Sequence, residues 1–393
     1  MSESTLPVGT RIACDDWEAE DGFQIGDDVI IECRRVRVGR NVEIGVRTNE
    51  NFRRQSGVRI QLDELLLGDG VVIGREVLLR GGCFHLEKKV RVREGSTLHV
   101  EESLRLQPYG VINENCEISG VDIDVGRYLW MLPYAKIGGG SAFEVHSKLR
   151  VGHFCHLGMY SFINTARLVK LGDEVGLGTR TALYTHGAYP SILQGFPVAF
   201  GEIHIGDRSW LPGAIVNPGV TIGRDCVIGV GAVVTGDIPD GALAGGVPAR
   251  VIRERAFPKK LLPEQKRAIM TNFLQAFSEI CRDRHCVGFS ASDDSAVIIR
   301  LDGDQAIIAY DFSASTNWIE SLQSSAKRVI CIAHEYGMWL EADALSPTTT
   351  AIDLEAHKIV GQTDYLSERL LNQMRRYGVR FRYSPEGGEY VAW

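Results

Sequence analysis

The chain has 393 residues, of which 44% are hydrophobic and 24% charged, and carries a formal net charge of −7. That length suits two or more domains with packed cores, and an acidic chain without a basic stripe argues against nucleic acid as a partner. No apolar run reaches the roughly 18 residues of a membrane helix, Met1 to Ile12 shows no basic-then-apolar leader, and the nine cysteines are scattered with no C-x-x-C pair, so the expectation is a cytoplasmic protein with reduced, mostly buried thiols and no metal.

From the amino terminus an aliphatic residue followed by glycine recurs loosely, at Ile25-Gly26, Val38-Gly39, Ile44-Gly45, Leu67-Gly68 and Ile73-Gly74. Between 81 and 150 the beat is ragged but still alternates like strand, which predicts continued coils with bulges or small insertions. It then returns at Leu171-Gly172, Leu177-Gly178, Ile205-Gly206, Ile222-Gly223 and Ile228-Gly229, with a small residue four places after the aliphatic one at Ser209, Cys226 and Ala232. The period is six. Six residues make one short strand and one corner, and three such units close a triangular coil of roughly eighteen residues whose apolar interior is buried only by stacking. Apolar residues three and four apart, the mark of an amphipathic helix, are missing here. The predicted fold is therefore an all-β parallel β-helix over residues 1–253.

One stretch breaks the beat. In ALYTHGAYPSILQGFPVAFGEIHIGD it stops at His186 and resumes near Ile203, and the residues between include Gly187, Pro190, Gly195 and Pro197. This reads as a loop thrown out from a rigid scaffold, where binding and chemistry concentrate. His186 stands where the loop departs, and imidazole suits removal of a proton near neutral pH.

After Arg253 the repeat ends. Pro258 and Pro263 bracket a linker over 254–263, and residues 264–393 read as a small α/β domain. Its expected elements are a helix from Glu264 to Arg284, strands at AVIIRL and QAIIAY joined by Asp302-Gly303, a strand at RVICIA, a helix near Tyr365 to Tyr377 and a strand at VRFRY. His285, His334 and His357 are read as surface or packing residues.

The repeat resembles the hexapeptide-repeat family, whose members form left-handed parallel β-helices; the hand follows from that resemblance alone. Residues from about 165 to 253 look like galactoside and maltose acetyltransferases and their xenobiotic acetyltransferase relatives. The resemblance rests on Tyr184-Thr185-His186 before the long loop, on Trp210 in IGDRSW, on IGVGAVVTGDIP and on AGGVPARVIR. It implies a trimeric acyltransferase using acetyl-CoA or another acyl-CoA, with His186 as general base. It also implies that Asn164 and Trp210 border the acceptor, and that Trp210, Gly213, Val230, Thr235, Gly236, Arg250 and Arg253 lie along the coenzyme. The acceptor implied is a sugar, a glycan precursor for polysaccharide biosynthesis or a specialised metabolite.

Two departures stand out: Leu211 to Ile222 spans eleven residues where two hexapeptides give twelve, and Gly236 replaces a lysine common in the family. An acidic partner for His186 is left open between Glu144 and Asp173. Two rival readings are a scaffold that only displays the second domain and a three-histidine metal enzyme of the γ-carbonic anhydrase kind. The latter would need His153, His156 and His186 at spacings this chain lacks, since Ser191 stands where a third histidine would follow.

Overall fold

The computed structural model describes residues 6–46, 57–282, 289–291, 296–301, 306–314, 316–324, 326–336, 346–355, 357–361 and 363–381. It divides into two compact units, Met1–Lys259 and Lys260–Trp393.

The first unit is a parallel β-helix. Its first six long strands, Arg11–Ala19, Ile30–Val38, Arg59–Leu67, Leu78–Leu86, Thr97–Leu106 and Glu117–Val125, stack in parallel and each runs through two faces of the coil. The burial of Ile30–Val38 shows how: Ile31, Cys33, Val36 and Val38 point in, and the adjacent outward pair Arg34-Arg35 marks the corner. Past Glu117–Val125 this sheet divides. One branch, the first face, is Lys136–Ile137, Phe162–Ile163, Ala182–Leu183, Ile215–Val216 and Val233–Val234; the other, the second face, is Lys148–Val151, Val169–Leu171, Ile203–Ile205 and Thr221–Ile222. The third face is a 12-stranded sheet of short strands that runs from Gln24–Ile25 to Leu243–Gly245 and closes with the antiparallel strand Arg250–Arg253.

The irregular middle has physical causes. The register slips at bulges between Gly81 and Cys83 and between Gly120 and Asp122. Several amino-terminal coils are nineteen residues, as from Arg11 to Ile30 and from Arg59 to Leu78, whereas His204 sits under Thr221, seventeen on. A coil whose strand carries on round a corner needs the extra residue, which is why the six-residue beat is loose there. The small residues fill the interior beside the corners. Ser209 is fully buried; its hydroxyl donates to Gly223 O at 2.7 Å and accepts from Cys226 N at 3.0 Å. Ser96 does the same between Asn113 O and Cys116 N. Each corner thus satisfies main-chain groups that would otherwise be buried without partners. Cys33, Cys116, Cys155 and Cys226 are buried and outside any disulfide, Cys14 is half-buried and Cys83 exposed, and burial pushes the Cys33 and Cys116 thiols up to about 12. Cys281 and Cys286 lie outside the described side chains.

The second unit is a six-stranded sheet in chain order, Phe289–Ala291, Ala296–Leu301, Ala306–Ala314, Arg328–Tyr336, Thr349–Asp353 and Lys358–Gly361. Its middle three strands are parallel and its outer pairs antiparallel. Helix Pro263–Arg282 buries Met270, Phe273, Leu274 and Phe277 against the sheet, and Tyr365–Arg376 adds Leu370, Leu371 and Met374. The expected elements change. Strands Phe289–Ala291, Thr349–Asp353 and Lys358–Gly361 are extra, as is helix Thr316–Gln323, because the parallel pair on either side of it needs a crossover; and Val379–Phe381 form no strand, the rest of VRFRY lying outside the described residues. The Asp302-Gly303 turn and His285 are likewise outside them, as is the His334 side chain, and His357 Nδ1 faces Arg380 O at 2.5 Å.

Asp364 caps Tyr365–Arg376, accepting from Ser367 N, and pairs with Arg328 at 2.7 Å. Burial pushes its carboxyl up, but the Arg328 and Ser367 hydrogen bonds outweigh that and hold it at about 2. A carboxyl depressed from 3.8 contributes stability at pH 5 that is lost as pH falls through about 2. Its side chain is partly exposed, so this contribution is discounted to about 1 kcal/mol. Acid unfolding followed by circular dichroism should therefore show Asp364→Asn less stable than wild type at pH 5, with the gap narrowing as the pH falls toward 2.

Candidate active site

The corner between the first and second faces carries a run of polar groups. Each first-face strand delivers its next residues there: Gly138 after Lys136–Ile137, Asn164 after Phe162–Ile163, and Thr185-His186 after Ala182–Leu183. Asn164 is 1% exposed. Its amide nitrogen donates to Gly138 O at 3.3 Å and Gly140 O at 3.1 Å. Those bonds fix which way the amide points, so Oδ1 is the atom facing His186 Nδ1 at 2.8 Å. The same oxygen accepts from Thr185 Oγ1 at 2.6 Å and from Ala166 N at 3.3 Å.

An amide oxygen can only accept. His186 therefore carries its proton on Nδ1, and in the neutral ring the lone pair is on Nε2. That edge faces Gly140: a side chain there would begin 3.4 Å from both Cε1 and Nε2. The absence of a Cβ leaves room beside the basic nitrogen.

From His186 the chain leaves the coil as an arm. His186–Gly187 pairs antiparallel with Ala199–Phe200, and Gly201 N returns to Thr185 O at 2.9 Å. A short 3-10 helix, Ile192–Gln194, forms the far end, with Tyr189 99% and Leu193 93% exposed. Phe200 stacks on the imidazole with centroids 5.7 Å apart, and the Arg167 guanidinium lies 4.5 Å over the Phe200 ring. Arg167 N donates to Thr185 Oγ1 at 3.1 Å, and its Nη1 is 3.6 Å from Glu144. Glu144 belongs to the segment between Ile137 and Lys148 that lengthens this coil, since Asp122 pairs with Lys148 twenty-six residues on.

Neither carboxylate left open for His186 reaches it. Glu144 pairs with Arg167, and Asp173 accepts from His153 N at 2.7 Å on another corner. The reading of Asn164 as an acceptor contact meets a buried amide with its donors and acceptor spent inside the chain. Gly140, Arg167 and Phe200 were not singled out in the sequence; the Gly138-Gly139-Gly140 run and the break in coil length are the signals that mark this corner. His156 stacks with Trp130 on the third face and His153 Nδ1 accepts from Arg127 N, both away from His186. Among the described residues no group of three His, Cys, Asp or Glu side chains converges to hold a metal.

The remaining predicted residues occupy other parts of the coil. Trp210 opens the strand Trp210–Leu211 of the third face, is 55% exposed and lies over Gly176. Gly213 and Val230 form the corner from third to first face, with Gly231 N bonded to Gly213 O. The missing residue is here: Leu177 to Leu183 takes six positions and Leu211 to Val216 five, Gly213 turning at φ 70° with its amide on Thr181 Oγ1. Thr235 and Gly236 are exposed on the same corner as His186, after Val233–Val234. Arg250 and Arg253 are exposed on the closing strand. Within one chain His186 and Trp210 thus stand on different corners.

Galactoside O-acetyltransferase of Escherichia coli (strain K12) is 31% identical to the chain over 171 residues, 43% of this chain and 79% of that protein. Relatives from Staphylococcus aureus are 53% identical over 62 residues, which is 16% of this chain and 31% of their own length. Among solved structures, the hexapeptide-repeat acetyltransferase VCA0836 of Vibrio cholerae, complexed with acetyl coenzyme A, is 27% identical, with 33% of this chain and 69% of that chain covered at a TM-score of 0.29. No family model matches the chain.

Proposed function

From a chain that belongs to the hexapeptide-repeat acetyltransferases, and is thereby an enzyme that uses acyl-CoA, we propose a transferase that moves an acetyl group to a hydroxyl or amine of a sugar, glycan precursor or specialised metabolite, with His186 as its general base. The observation that carries this is the 2.8 Å contact of His186 Nδ1 with Asn164 Oδ1. It leaves Nε2 basic, on the ring edge that faces the side-chain-free Gly140. The acceptor's proton passes to Nε2 as its oxygen or nitrogen bonds to the thioester carbonyl carbon. The tetrahedral intermediate then expels the thiolate, which takes the proton back from the imidazolium. A thioester is already activated, so no covalent enzyme intermediate is required. Asn164 acts here by holding the ring and its tautomer, as an outer partner does for a reacting histidine.

Trp210, Gly213, Val230, Thr235 and Gly236 would line the pantetheine, and Arg250 and Arg253 would meet the nucleotide phosphates, for which a guanidinium fork is apt. These residues lie on different corners of one coil. A second copy beside the first would bring the Trp210 corner of one toward the His186 corner of the other, and the exposed Tyr189 and Leu193 of the arm favour such a neighbour. A homotrimer follows from this reading.

The test is free-thiol release from acetyl-CoA with a panel of neutral and acidic sugars and nucleotide sugars, beside sedimentation of the protein. Acceptor-dependent release from a trimer is the expected result. A folded protein that neither binds acetyl-CoA nor turns it over would overturn the reading in favour of a scaffold.

A further inference from the structure

The corner that holds His186 also holds a cation which general-base chemistry does not use. Arg167 follows the coil beneath His186, its amide bonded to Thr185 Oγ1 at 3.1 Å. Its guanidinium lies 4.5 Å over Phe200, the ring that stacks on His186. Nη1 donates to Ala166 O at 2.6 Å, which holds the group in place. Nε and Nη2 have no acceptor among the described residues. The carboxylate paired with it, Glu144, is 3.6 Å away and 52% exposed, against 28% for the Arg167 side chain. So loose and wet a pair contributes little, and a better-placed anion would displace it.

Stacking on an aromatic face leaves the in-plane N–H donors of a guanidinium free at its edge, the geometry that grips a carboxylate or phosphate with two bonds. The ring and the Ala166 carbonyl restrain the side chain in advance, which lowers the entropy lost on binding. The carboxylate that faces it comes from the segment that lengthens this coil, the same segment that brings Gly140 to His186 Nε2. The part of the coil that departs from the repeat thus builds both the gap at the base and the surroundings of the cation.

We propose that Arg167 selects the acceptor: the site takes a sugar carrying an acidic group, a carboxylate or a phosphate, held by Arg167 while the reacting hydroxyl or amine lies at His186 Nε2. This rests on the acetyl-transfer reading and names the acceptor class within it. A purely structural arginine, tying the inserted segment to the arm, would affect neutral and acidic sugars alike.

Calorimetry on the full chain with acetyl-CoA present separates the two. The probes are glucuronate and glucose 6-phosphate against glucose; the proteins are wild type, Arg167→Met, Arg167→Lys and His186→Ala. A charge-assisted pair predicts that at least one acid binds about ten- to a hundredfold tighter than glucose in wild type and His186→Ala. Arg167→Met should lose that preference and Arg167→Lys keep part of it, with the affinity for acetyl-CoA unchanged in both. Which acid wins distinguishes carboxylate from phosphate. If neither acid outbinds glucose, or Arg167→Met keeps the preference, the proposal is overturned. The base assignment fails separately, if His186→Ala still transfers acetyl groups at the wild-type rate.

Discussion

Replacing His186 with alanine is expected to slow acetyl transfer by about a hundred- to ten-thousandfold while the coil stays folded. The ring is half-buried at the root of the arm, and its loss removes one hydrogen bond to Asn164 and one stack on Phe200. Neither lies in the apolar stack of coils, so the cost to stability is about 1 kcal/mol. The decisive quantity is kcat at saturating acetyl-CoA, measured beside the melting temperature. A general base acts only in the transition state, so on the proposed reading kcat and kcat/KM for the acceptor should fall together. A rise in KM alone, with kcat kept, would make His186 a binding residue and place the base elsewhere.

The repeat was easiest to read where coils are shortest. From Ile203 onward each face is one short strand and one corner, so aliphatic residue and glycine keep step with the template. Earlier coils hide it. Val58, Ile60, Leu62, Leu65, Leu67, Val71 and Ile73 are all buried, at steps of two, two, three, two, four and two. The step of three is the corner that the strand Arg59–Leu67 turns without breaking, with Asp63 and Glu64 both pointing out. A six-residue template cannot show that step. The departure of the arm at His186 was legible for the opposite reason, since a strict pattern stops there. The role of Asn164 was not legible: its contact with His186 joins residues twenty-two apart, and only the coil length places one over the other. The resemblance pointed to an asparagine at the acceptor, whereas burial turns this one inward. Arg167 escaped notice because a single arginine after a strand looks like any solvated charge until Phe200 is folded back over it.

Asn164→Ala is expected to damage stability and rate together. The side chain ties together Gly138, Gly140, Ala166, Thr185 and His186. Its removal strands buried main-chain groups and opens a cavity, a loss of about 3–5 kcal/mol in unfolding free energy. The freed imidazole loses both its orientation and its fixed tautomer, which lowers kcat by about ten- to a hundredfold more than the fraction of folded protein explains. The substitution Asn164→Asp separates these effects. A carboxylate could still accept from His186, but the atom replacing the amide nitrogen would be an oxygen set against Gly138 O and Gly140 O. Two carbonyls facing a carboxylate repel it, which is the physical reason an amide rather than an acid stands behind this imidazole. Denaturant unfolding should therefore show Asn164→Asp destabilised like Asn164→Ala. If Asn164→Asp folds as stably as wild type, the two carbonyl contacts do not set the amide's orientation, and the proton on His186 Nδ1 loses its support.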